Sequence, residues 1–190
     1  MKKLATLVTD VWVKAGFIPS ADVQVYLYGV ELLISTIFNL CNLVLISVLF
    51  GNPLTLIPYL ISFIPLRMFG GGYHAKTHWG CVAITSAAYF VTCLFTTVIA
   101  NKSLQIIYFA VSIVGFLLLL ALAPVPAKNK PLSPKEMHSY KAISLIMSLA
   151  LIGLALAVIL KAIPTSLSLT FLYLGEVVST IMLVAGKMER

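Results

Sequence analysis

Six apolar runs leave this chain little choice of fold. They cover about residues 25–49, 54–66, 82–100, 104–123, 142–160 and 166–185. Five of them come close to the ~20 residues that a membrane-spanning helix requires. The second is shorter and holds Pro58 and Pro65, so it is expected as a thin span extended by its flanks or as a re-entrant segment. Turn-forming residues separate the runs: Gly51, Asn52 and Pro53; Gly70, Gly71 and Gly72; Asn101; the linker 124–134; and Pro164. With 61% hydrophobic and 10% charged residues, and a mean hydropathy of +1.05, the composition departs far from the ~25% charged residues of a soluble domain. Soluble enzymes, disordered tails and nucleic-acid-binding modules are thereby excluded. The expected fold is all-α, a polytopic membrane bundle of about six transmembrane helices preceded by an amphipathic helix.

The net charge of +7 is distributed as membrane orientation requires. If the amino terminus is cytosolic and all six runs cross, the cytosolic side holds Lys2, Lys3, Lys14, Arg67, Lys76, Lys128, Lys130, Lys135, Lys141, Lys187 and Arg190. Only Lys102 and Lys161 fall outside. Cytosolic loops carry such an excess. Removing the second span would invert everything after it, so six crossings with both termini cytosolic is the expected topology.

Residues 1–22 read as a separate interfacial module ahead of a single transmembrane domain at 23–190. Leu4, Leu7, Val8, Val11, Trp12 and Ala15 recur at helical spacing, with Lys3, Asp10 and Lys14 elsewhere on the wheel. Such a helix lies in the headgroup plane or packs on the cytosolic face of the bundle. Asp10 and Lys14 interrupt the run that a cleavable signal would need, so this segment is expected to stay on the mature protein. The three cysteines, Cys41, Cys81 and Cys93, are an odd count and argue against a disulfide framework.

The cytosolic loop 67–81 is where chemistry could sit. It holds His74, His78, the glycine run and Cys81. A thiol near neutral pH needs a base or a positive charge beside it. His74 or His78 can supply the base, and Arg67 or Lys76 the charge. A Cys/His pair at the membrane edge supports acyl transfer on a peptide carbonyl. Two other readings stand beside it. His74, His78 and Cys81 at i, i+4 and i+7 could align as metal ligands on a helix, although no fourth ligand is evident and Gly80 with the glycine run argues against a long straight helix. Alternatively, the histidines are solvated and Cys81 merely begins a span. On a straight helix His74 and Cys81 would lie about 10 Å apart along the axis, so a same-chain dyad requires a break before Gly80.

The pattern Arg67-x-x-x-Gly71-Gly72-x-His74-Ala75-x-x-x-x-x-Cys81 resembles the signature of the accessory gene regulator protein B family, the membrane endopeptidases of Gram-positive quorum sensing. Ala123-Pro124-x-x-x-Lys128-x-Lys130-Pro131 resembles that family's basic, proline-marked loop. The resemblance implies a cysteine endopeptidase in the cell membrane of a Gram-positive bacterium. Its expected substrate is a small precursor peptide with an amphipathic amino-terminal helix and an acidic carboxyl-terminal tail. Such an enzyme cuts the carboxyl-terminal part away and holds the remainder as a thioester. An internal cysteine or serine of the peptide then closes a thiolactone or lactone ring. Carried onto this chain, Cys81 is the nucleophile and His74 the base, with Arg67, Gly71 and Gly72 in support. The family also allows a homodimer.

No phosphate-binding loop of the G-x-x-x-x-G-K-[ST] type occurs, and exchange between thioesters needs no nucleotide. No cofactor, metal or nucleic acid is therefore expected. Glu31, a carboxylate inside the first run, is a candidate orienting group. Lys128 and Lys130, in the basic loop 124–141, are candidates for docking the acidic tail, alongside attraction to anionic lipid. The competing functional class is a small transporter or permease subunit, with Glu31, Asn39, Asn42 and Glu176 lining a pathway. A non-catalytic membrane scaffold is a third.

Overall fold

A computed structural model describes residues 2–73, 75, 77–98, 104–126, 132–164 and 166–189. Among them are seven α-helices: α1 (Lys2–Lys14), α2 (Val23–Leu49), α3 (Leu56–Pro65), α4 (His78–Val98), α5 (Leu104–Leu122), α6 (Pro134–Ile159) and α7 (Leu167–Met188). No strand occurs among the described residues, only an isolated bridge between Gly71 and Val125. Among the described residues, five segments are long and apolar enough to cross a membrane: Val23–Leu49, Pro53–Gly70, His78–Thr97, Pro134–Ile159 and Leu167–Met188. A shorter apolar helix covers Ile106–Leu122. The protein is thus an all-α, multi-pass helical bundle.

The short second run is longer than its apolar core indicates. A 3₁₀ turn at Pro53–Thr55, α3, and a π-helical turn at Leu66–Gly70 join end to end. The resulting 18 residues extend about 27 Å at 1.5 Å per residue, close to the ~30 Å hydrocarbon core. Its two inner prolines lie at opposite ends of α3. Pro58 lies in the first turn of α3, and Pro65 is the last residue before the π turn, where the hydrogen-bond ladder changes register.

The chain divides into two compact units. The first comprises Met1–Ile46 and Ala75–Tyr89, and so contains α1, most of α2 and the start of α4. In α1, the small residues Ala5 and Thr9 are buried while the large apolar side chains Leu4, Leu7 and Val11 are exposed. In α2, Val30, Ser35 and Leu43 are buried, whereas Val25, Leu33 and Leu45 are exposed.

The second unit comprises Ser47–His74 and Phe90–Arg190. Its core gathers Leu66, Leu119, Ala123, Val125, Leu151, Ala155, Tyr173 and Leu183. Helices α3 and α7 approach closely because Gly175 has no side chain. A Cβ there would strike Ser62 Oγ and lie 2.6 Å from the Tyr59 carbonyl oxygen. One turn on, Ser179 Oγ donates to the carbonyls of Gly175 (2.8 Å) and Phe63 (3.3 Å). Small residues at such a crossing are what helix association in lipid favours.

Polar groups are turned inward. Glu176 on α7 is 1% exposed and accepts hydrogen bonds from Ser112 of α5 and Ser148 of α6, each at 2.7 Å. Large aliphatic residues such as Val114, Leu117, Ile146 and Ile181 face outward on the same three helices. This arrangement satisfies polar side chains internally, where lipid offers no partner.

Candidate active site

The stretch between Arg67 and Cys81 is only partly loop. Arg67 through Gly70 belong to the π turn, and α4 begins at His78. Between them, the described residues 71–73, 75 and 77 are not helical. Thr77 caps α4: its Oγ1 accepts from the Gly80 N–H at 3.0 Å, and its carbonyl accepts from the Cys81 N–H at 3.1 Å. The break required before Gly80 falls at this cap. Cys81 sits on the first turn of α4, is partly buried and forms no disulfide. Helix amino termini present unsatisfied N–H groups and favour negative charge.

The motif glycines are held by the chain's own backbone. Gly71 has φ +78° and Gly72 φ +128°, conformations that side-chain-bearing residues rarely adopt. The Val125 N–H donates to the Gly70 carbonyl at 2.9 Å, and the Tyr73 N–H donates to the Met182 carbonyl at 2.7 Å. A Cβ on Gly71 would strike the Val125 carbonyl oxygen. On Gly72 it would lie 2.6 Å from the Met182 oxygen and 2.8 Å from Arg67 Nη1. From the other side, a Cβ on Gly186 would strike Gly72 and Tyr73. The glycine run thus threads between Val125 and α7.

Arg67 completes this turn. Its Nη1 donates to the Gly71 carbonyl at 3.0 Å, bonding an acceptor just past the end of the π turn. Phe69, on the same turn, meets the ring of Tyr140 on α6 edge to face at 5.3 Å. Arg67, Gly71 and Gly72 are therefore brought together. Val125, Met182 and Gly186, which complete their surroundings, have no local signature in the sequence beyond the small residue at 186.

Glu31 lies on α2, 17% exposed, with Oε2 3.6 Å from His78 Nε2. Its observed partner is thus the second histidine of the stretch. His74, Lys76, Lys128 and Lys130 lie outside the described residues. The basic loop expected at 124–141 is likewise partly helical, because α6 starts at Pro134. Ser133 and Glu136 form a capping box there: Glu136 Oε2 accepts from the Ser133 N–H at 2.8 Å, and the Glu136 N–H reaches Ser133 Oγ at 3.3 Å. Lys135 and His138 follow on the exposed first turns. Among the described residues no group of three His, Cys, Asp or Glu side chains could hold a metal ion.

The family model for accessory gene regulator B matches residues 5–183. The chain belongs to the accessory gene regulator B family. It is 34% identical over 124 residues to protein FsrB of Enterococcus faecalis (strain ATCC 47077 / OG1RF), covering 63% of this chain and 49% of that one. It is 25% identical over 118 residues to a putative AgrB-like protein of Clostridium perfringens (strain SM101 / Type A), covering 60% and 55% respectively. The matches span about half the length of these curated relatives. No solved structure matches the chain.

Proposed function

We propose that this protein is a membrane cysteine endopeptidase that processes a small precursor peptide into a cyclic quorum-sensing signal. The observation that carries this reading is Cys81: a thiol on the capped first turn of a membrane helix, at the motif spacing of a family that matches nearly the whole chain. Its setting is a cell membrane with both termini cytosolic, as the lysine and arginine distribution favours. A Gram-positive host is what the resemblance to the family implies.

In the first half-reaction the Cys81 thiol gives its proton to the His74 imidazole, and the sulfur attacks the scissile carbonyl. Collapse of the tetrahedral adduct breaks the C–N bond, and the imidazolium returns the proton to the leaving amine. The acidic carboxyl-terminal part departs, and the upstream part remains as a thioester on Cys81. In the second, an internal thiol or hydroxyl of the peptide attacks that thioester, closing a ring and releasing the Cys81 sulfur, which is reprotonated. Proximity within one chain gives the internal nucleophile an advantage over water. Arg67, Gly71 and Gly72 support the connection between the π turn and α4, while Lys128 and Lys130 attract the acidic tail. Membrane lipid surrounds the apolar helices, and the family allows a homodimer.

The test is co-expression of the chain with a small tagged precursor of this class. Cys81→Ala and His74→Ala should each abolish cleavage while membrane abundance stays normal. Cleavage surviving in Cys81→Ala would refute the peptidase reading, and solute transport by that variant would establish the permease instead.

A further inference from the structure

Two contacts in the first unit tie the start of α4 to one stripe of α2. His78 Nε2 lies 3.6 Å from Glu31 Oε2. The rings of Phe38 and Trp79 meet edge to face with centroids 5.1 Å apart. Glu31 and Phe38 are seven residues apart, about two helical turns, and so share a face of α2. His78 and Trp79 are the first two residues of α4, and Cys81 follows within that turn. Residues three apart on a helix are neighbours, which places His78 and Cys81 along one edge.

We propose that Glu31 and His78, backed by Phe38 and Trp79, form a clamp that positions the Cys81 sulfur for acylation. The proposal rests on Cys81 being the nucleophile, and it adds His78, Phe38 and Trp79, all outside the family motif. A clamp answers a local weakness. The first turn of a helix lacks half its backbone hydrogen bonds, and Gly80 inside it adds no packing and favours unwinding. Thr77 restrains only the backbone. The side chains facing α2 supply the remaining restraint. Glu31 also has its own reason to pair, since a carboxylate on a membrane helix is costly without a partner. Neither Glu31 nor His78 acts on the substrate; both are positioning residues. Displacing an attacking atom by about 1 Å can cost up to ~10²-fold in rate.

The experiment uses the full chain in vesicles of phosphatidylglycerol and phosphatidylethanolamine, with p-nitrophenyl acetate as acyl donor. The Cys81 sulfur takes the acetyl group, p-nitrophenolate leaves, and mass spectrometry follows acetyl on Cys81. Glu31→Gln and His78→Gln, which keep side-chain size, should each slow acetylation about tenfold at unchanged membrane abundance and helicity. The reciprocal swap, Glu31→His with His78→Glu, should restore the rate to within about threefold of the original, because it keeps the pair while exchanging its members. Unchanged rates in both single variants overturn the clamp, as does a swap no faster than the singles. The nucleophile reading fails separately, by precursor cleavage persisting in Cys81→Ala.

Discussion

Alanine at position 72 would test whether the motif glycine serves the backbone or the substrate. Gly72 has φ +128°, and a residue with a side chain held there costs about 1–3 kcal/mol in backbone strain. Its new methyl would lie 2.6 Å from the Met182 carbonyl oxygen and 2.8 Å from Arg67 Nη1. Arg67 is a flexible side chain that can move aside, but the Met182 carbonyl belongs to α7 and already accepts from Tyr73. Forcing that contact apart adds about 1–3 kcal/mol of overpacking. The sum, roughly 2–6 kcal/mol, should lower the apparent melting temperature of the detergent-solubilised protein by several degrees. Gly153→Ala is the matched control. It lies within α6, and a Cβ there meets nothing within 4 Å, so that variant should melt at or slightly above the original, as alanine favours a helix over glycine by about 1 kcal/mol. Gly72→Ala that melts like the original yet loses cleavage would refute the backbone account and assign the glycine to the peptide instead.

Glu176→Ala should strip Ser112 and Ser148 of their acceptor and leave a cavity, destabilising the protein by about 2–5 kcal/mol, whereas Glu176→Gln should lose much less; equal melting temperatures for all three would contradict the three-helix tie. Thr77→Ala removes the side-chain cap of α4, a loss of about 0.5–2 kcal/mol, and the fraying turn should make Cys81 react faster with N-ethylmaleimide in native vesicles. Lys128→Glu with Lys130→Glu should weaken precursor cleavage more at low than at high salt, and a salt-independent effect would remove the electrostatic docking of the acidic tail.

Much of the architecture was legible in one dimension. Long apolar runs identified the helices, because no other element satisfies its backbone in lipid without a closed barrel. The second run was the hardest to read, since Arg67 and the glycines mask a helix that in fact continues as a π turn to Gly70. Near the candidate site, the need for a break before Gly80 followed from helical rise alone, and Thr77 supplies it. Glu31 stands out in the sequence as a carboxylate inside an apolar run, yet its partner, His78, sits on another helix and could not be chosen from spacing. The glycine pair marks a turn in the sequence, but only the fold shows that its neighbours are Val125 and Met182.

Sequence alone determined the class of solvent, the helical elements, their expected orientation and the motif that marks the family, since hydropathy, charge and turn residues act locally along the chain. Tertiary structure decided which polar groups meet: Glu176 with serines 64 and 28 residues away, Arg67 with the turn it closes, and α2 with the start of α4. The reason is physical. In lipid the apolar faces of helices are nearly interchangeable, so the specific pairings rest on a few small or polar residues, and these find one another only when the helices pack.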